Sequence, residues 1–74
     1  MYLCELKKGE KAKIVAILAS GELKKRFLSF GIDKDEIVKI KEISLRKSTF
    51  DIVVNNTQVA LRLDEAAMIG VEKI

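Results

Sequence analysis

Phe50-Asp51-Ile52-Val53-Val54-Asn55-Asn56-Thr57-Gln58-Val59-Ala60-Leu61-Arg62-Leu63 decides the fold. Phe50, Ile52 and Val54 recur with period two, the pattern of a strand that buries one face. Val59, Leu61 and Leu63 return in the same rhythm as its partner. Between them, Asn55-Asn56 tolerates the positive φ that a tight hairpin turn requires. Upstream, Val38 and Ile40 share a face opposite Lys39 and Lys41, which predicts another strand with one wet side. It joins the hairpin through a polar loop, Ser44 to Ser48, that carries Arg46 and Lys47.

Working toward the N-terminus, Leu23, Phe27 and Phe30 fall at i, i+4 and i+7, one apolar stripe on a helix of about two and a half turns. Lys24, Lys25 and Arg26 lie off that stripe. Ser20-Gly21 is placed to start and cap the helix, Gly31 stands where a C′ glycine belongs, and Asp33-Lys34-Asp35 then makes a turn. Before the helix, Lys11-Ala12-Lys13-Ile14 alternates and leads into Val15-Ala16-Ile17-Leu18, a strand expected to begin half exposed and become buried. Leu3 to Leu6 is a short lead-in ending in a turn at Gly9. After the hairpin, Asp64-Glu65-Ala66-Ala67-Met68 reads as one helical turn capped by Asp64, and Val71 to Ile74 as a closing strand.

The expected architecture is mainly β, a small five-stranded SH3-like or OB-like barrel, partly open and capped by one helix. No linker or repeat interrupts it, so residues 1–74 are expected to form a single domain. Apolar residues make up 49% of the 74, which excludes a disordered tail. The longest apolar run, Ile14 to Ala19, is far short of the ~20 residues that span a bilayer. No secretion signal is visible, so the expected location is cytoplasmic.

The chain has no His, no Trp, no Pro and one Cys. Histidine acid–base catalysis is excluded, and neither an internal disulfide nor a closed four-ligand zinc site can be assembled. Cys4 is expected to be a small packing residue or a bystander, against a role in metal or redox chemistry. Asp51, Asp64 and Glu65 are the acids in or near the hairpin; they read more simply as a strand-surface residue, a cap and a first-turn glutamate than as ligands of a hard cation. Net charge is +3, with seven basic and three acidic residues in 1–31 against seven and eight in 32–74. This is a weak pointer to an acidic partner.

Three pieces of the sequence, in order, resemble the FeoA family. They are Gly9-Glu10-Lys11-Ala12-Lys13-Ile14, the helix end Arg26-Phe27-Leu28-Ser29-Phe30-Gly31-Ile32 with Phe27 where Leu is usual, and Val59-Ala60-Leu61-Arg62 followed by Glu65-Ala66. The resemblance covers essentially the whole chain. It implies a small SH3-like accessory protein of bacterial ferrous-iron transport that contacts the cytoplasmic GTPase region of the FeoB transporter, without catalysis or a cofactor. Family descriptions also attach a transition-metal-binding label, for which this sequence offers no ligand set. Two segments depart from the family: Asp33-Lys34-Asp35 replaces Pro-Gly, and Ser44 to Thr49 replaces a Pro- and Gly-rich loop, which makes that loop less pre-organised.

The candidate partner-binding residues are Lys24, Lys25, Leu28, Arg46, Lys47 and Arg62. Each has a plainer reading: solvated lysines on a helix face, solvated loop cations, and for Arg62 an ion pair that fixes its strand. Leu28, off the core stripe, is the apolar side chain left over for a partner. Weak self-association stays open. The competing function is a small nucleic-acid-binding barrel, which the pI of about 9.1 favours and the scarcity of free aromatic rings disfavours. A third reading is a stand-alone module like the C-terminal domain of iron-dependent repressors.

Overall fold

The computed structural model describes residues 1–74. A 3-10 turn at Leu3–Glu5 leads into β1 (Lys11–Ile17), α1 (Gly21–Ser29), β2 (Ile37–Ile43), β3 (Thr49–Val54), β4 (Thr57–Arg62), α2 (Leu63–Ala66) and β5 (Ile69–Lys73). The strands form one antiparallel sheet in the order β4-β3-β2-β1-β5. Register shifts between Ile14 and Ala16 and between Ile40 and Glu42 mark irregularities of the kind that bend a strand and increase its twist. The sheet curls around its core, yet β4 and β5 do not pair, so the barrel stays partly open.

The hairpin forms as its alternation dictates. Asn55 and Asn56 have φ of 50° and 61°, and Val54 faces Thr57 in register. Phe50, Ile52, Val54, Val59 and Leu61 all point into the core, as do Val38 and Ile40 of β2. α1 ends as Gly31 allows. With φ at +87°, its amide donates to the Leu28 carbonyl at 3.0 Å, and the Ile32 amide donates to the Phe27 carbonyl at 2.9 Å. This is a Schellman closure, and its apolar pair, Phe27 and Ile32, is fully buried. A Cβ on Gly31 would lie 3.3 Å from Asn55 Cβ, so this glycine also lets the helix end approach the hairpin turn.

Several local expectations are corrected. β1 is buried at its start, at Ala12 and Ile14, and becomes half-exposed through Ile17, leaving Leu18 58% exposed. Its pairing with β2 ends at Lys13, so the later residues have a strand neighbour only on the β5 side. Leu63 does not extend β4; it starts α2 and is exposed. Asp64 is not the cap: Arg62 holds the cap position, and its amide donates to the Glu65 carboxylate at 2.9 Å. Ser20 occupies the cap position of α1 with extended backbone, but its side chain makes no capping bond.

Glu10, just before β1, pairs with Lys73 at the end of β5, Nζ to Oε2 at 2.5 Å, and accepts from the Lys7 amide at 2.6 Å. The Lys73 bond, helped by that amide, holds the Glu10 carboxyl below its ordinary value of 4.5. A folded-state value lower than the unfolded one stabilises the protein above the ordinary carboxylate range. That contribution is lost as pH falls through the lowered folded value. Glu10→Gln is therefore expected to melt below the parent at neutral pH, with the gap closing as pH falls below the ordinary carboxylate range. Melting curves of both proteins across pH check this; a gap that widens toward acid would refute the assignment.

Candidate functional site

The six candidate residues fall into two groups with no hydrogen bond or ion pair between them. The first is the outer face of α1. Along a helix, residues three and four apart are neighbours, so Leu28 lies beside Lys24 and Lys25. Phe27 is fully buried, Leu23 and Phe30 pack partly against the core, and Leu28 is left 44% exposed. Lys25 reaches Glu22 at 3.7 Å, an exposed pair of little energetic weight. The result is an exposed leucine with cations beside it.

Arg26 belongs to a different arrangement. Its guanidinium donates to Glu65 Oε2 at 2.5 Å and lies 6.0 Å from the Phe30 ring centroid. The other oxygen of Glu65 takes the Arg62 amide. One nearly buried carboxylate thus ties α1 to the β4–α2 junction. Arg26 is consequently a link within the fold, not a free cation of the helix face.

The second group lies where β2 turns into β3. The turn, which lacks proline and glycine, is tied by its own hydrogen bonds. Ser44 Oγ accepts from the amides of Ser48 and Thr49 at 3.0 Å each, and the Lys47 amide donates to the Ser44 carbonyl at 2.9 Å. Arg46 and Lys47 project from it. The ladder pairs Thr49 with Arg62, and the Leu63 amide donates to the Ser48 carbonyl at 3.0 Å, so the β4–α2 junction sits against the same turn. Arg62 is exposed and makes no ion pair, which removes the strand-fixing reading. Leu45, absent from the candidate set, is fully exposed at the tip of the turn. A lone leucine between polar loop residues was the available signal.

The other chemistry-bearing residues do not assemble. No three Cys, Asp or Glu side chains converge on a point. Glu65 is committed to Arg26, and Cys4 packs half-buried against the core. A transition metal, which prefers sulfur and nitrogen donors, does not fit this donor set. Of the four aromatic rings, Phe27 and Phe50 are buried and Phe30 is partly covered, so Tyr2 alone stands well exposed. Base stacking along a nucleic-acid strand uses several such rings.

Residues 1–73 match the model of the FeoA domain. The chain is 45% identical, over all 74 residues of both proteins, to an Fe(2+) transport protein A of Campylobacter jejuni. Among solved structures it is similar to the zinc-complexed FeoA of Stenotrophomonas maltophilia, described as a prokaryotic SH3 domain protein, with a TM-score of 0.81 and 26% identity over 97% of this chain and 89% of that one. It also superposes on a manganese-dependent transcriptional repressor with a TM-score of 0.90. There the identity is 19%, covering 99% of this chain and 40% of the repressor, so that likeness is one of fold.

Proposed function

This chain belongs to the FeoA family, small accessory proteins of ferrous-iron transport, and from that premise we propose that it works by docking on the cytoplasmic GTPase region of a FeoB-type transporter. The observation that carries the proposal is the outer face of α1. Leu28 stands exposed beside Lys24 and Lys25, while its neighbour Phe27 anchors the helix to the core. An apolar side chain with a cationic rim is the composition of a small protein–protein contact. The rim supplies attraction to an acidic surface and speeds encounter. The chain's role is regulatory and non-catalytic in this reading, and it acts in the cytoplasm, where that GTPase region lies.

The test is binding of the full chain to the purified cytoplasmic region of the transporter. Leu28→Ala combined with Lys25→Glu is expected to weaken binding by tenfold or more, about 1.4 kcal/mol. Circular dichroism and melting should stay those of the parent, because neither side chain enters the core. Raising salt should mainly slow association. A nucleic-acid binder would instead lose affinity for a single strand with a log–log slope near −0.7 per phosphate contact. Tight oligonucleotide binding with such a slope, and no transporter binding at any ionic strength, would replace the proposal.

A further inference from the structure

We propose that the β2–β3 turn and the adjoining β4–α2 junction form a tip that docks on an anionic lipid surface. Leu45 stands fully in solvent there, and Leu63 beside the turn is 46% exposed. Both flank a cluster of cations. Arg46 and Lys47 follow Leu45 directly, and Arg62 precedes Leu63. None of the three makes an ion pair, which is also true of Lys7, Lys11, Lys24, Lys34, Lys39 and Lys41; what sets the tip apart is the fully exposed leucine beside its cations. Acids lie near as well: Asp64 accepts the Glu65 amide at 3.0 Å, and Glu42, paired with Lys8, faces Asp51 just before the turn.

Two features favour a lipid surface over a peptide or protein. The first is shape. The concavities of the molecule lie elsewhere, one along Glu22, Leu23, Lys25 and Arg26, the other around Ile37, Val53 and Asn55. Neither is lined by a residue of the tip, where Leu45 stands out in solvent. A protruding leucine flanked by cations suits a surface whose phosphates meet the charges while its acyl boundary takes the leucine. The second feature is rigidity. The Ser44 hydroxyl fixes the turn from both sides, so Leu45 is presented without further ordering on contact. With few apolar contacts the association is reversible, dependent on anionic lipid and weakened by salt.

The experiment is co-sedimentation of the full chain with phosphatidylcholine vesicles, with and without phosphatidylglycerol. Binding is expected to the anionic vesicles alone and to fade at high salt. Each cation neutralised should lower partitioning roughly fivefold. Arg46→Glu with Lys47→Glu should therefore reduce it by more than about 25-fold. Leu45→Asn should weaken it with charge unchanged. The charge-matched pair Lys24→Glu and Lys25→Glu on α1 should leave most of the binding, which separates a located site from net positive charge. The chain has no Trp, so emission from Leu45→Trp reports on that position alone and should shift to the blue on anionic vesicles. No sedimentation, equal loss in both charge-reversed pairs, or an unshifted emission with binding intact would each overturn the proposal. Binding of a poly-glutamate peptide through the same residues, without vesicle binding, would make the tip a protein contact and also overturn it. Transporter docking is read by the α1 variants and lipid docking by the tip variants, so failure of one is distinct from failure of the other.

Discussion

Phe27→Ala is expected to cost about 3–5 kcal/mol. Phe27 is the one fully buried residue of α1, and its ring is among the two largest side chains in the core. Leu23 and Phe30 only lean against that core. Truncating the ring therefore removes the main attachment of the helix and opens a cavity that the curled sheet cannot collapse to fill. A domain this size holds roughly 4–11 kcal/mol in total, so the loss is a large share of it. It should appear as a fall in melting temperature of roughly 15–30 °C. The adjacent Leu28→Ala is expected to stay within about 0.5 kcal/mol, because that side chain is exposed. The pair tests the orientation of α1 directly: if Leu28→Ala were the damaging change and Phe27→Ala the silent one, the helix would be rotated from its assigned position.

Glu65→Ala should be the next most costly, at about 2 kcal/mol. Its carboxylate accepts one bond from the Arg26 side chain and one from the Arg62 amide. Hydrogen bonds to a charged group contribute about 1.5–3 kcal/mol when the surroundings exclude water. The two bonds are unequal. The Arg26 side chain is 52% exposed, so its share is screened and amounts to less than about 1 kcal/mol. The Arg62 bond closes the first turn of α2 in a nearly buried setting and supplies the rest. Glu65→Gln retains a neutral acceptor for that amide and should recover about half of the loss. Chemical denaturation at low and high salt separates the contributions, since salt should diminish the Arg26 part alone. A Glu65→Ala protein as stable as its parent would mean that the tie between α1 and α2 carries no weight in the fold.

Much of the architecture was legible because its cues are local. Period-two alternation placed Val38, Ile40, Phe50, Ile52 and Val54 on one face, and burial follows that face. Asn55-Asn56 marked the hairpin, since few residue pairs adopt two consecutive positive φ angles. Gly31 marked the end of α1 for the same conformational reason. The candidate surface was legible in part. The spacing that put Leu23, Phe27 and Phe30 inward also left Leu28 outside, beside Lys24 and Lys25.

What failed to show in the sequence depends on neighbours distant along the chain. Val15 to Leu18 are apolar enough for a buried strand, yet β2 departs after Lys13 and leaves them partly uncovered. Leu3 and Leu6 looked like a lead-in, and both are buried as members of the core. Arg26 stood beside two lysines in the sequence but is drawn aside by Glu65, 39 residues away. The meeting of Arg62 and Leu63 with the Leu45-Arg46-Lys47 turn follows from β-ladder register and one backbone bond, which no local pattern encodes. The sequence by itself determined the main helix, the hairpin and the inward faces of β2 and β3, because side-chain periodicity and backbone φ preferences act within a few residues. The tertiary structure alone decided which apolar residues stay uncovered and which charges remain unpaired, because those outcomes depend on where the sheet stops.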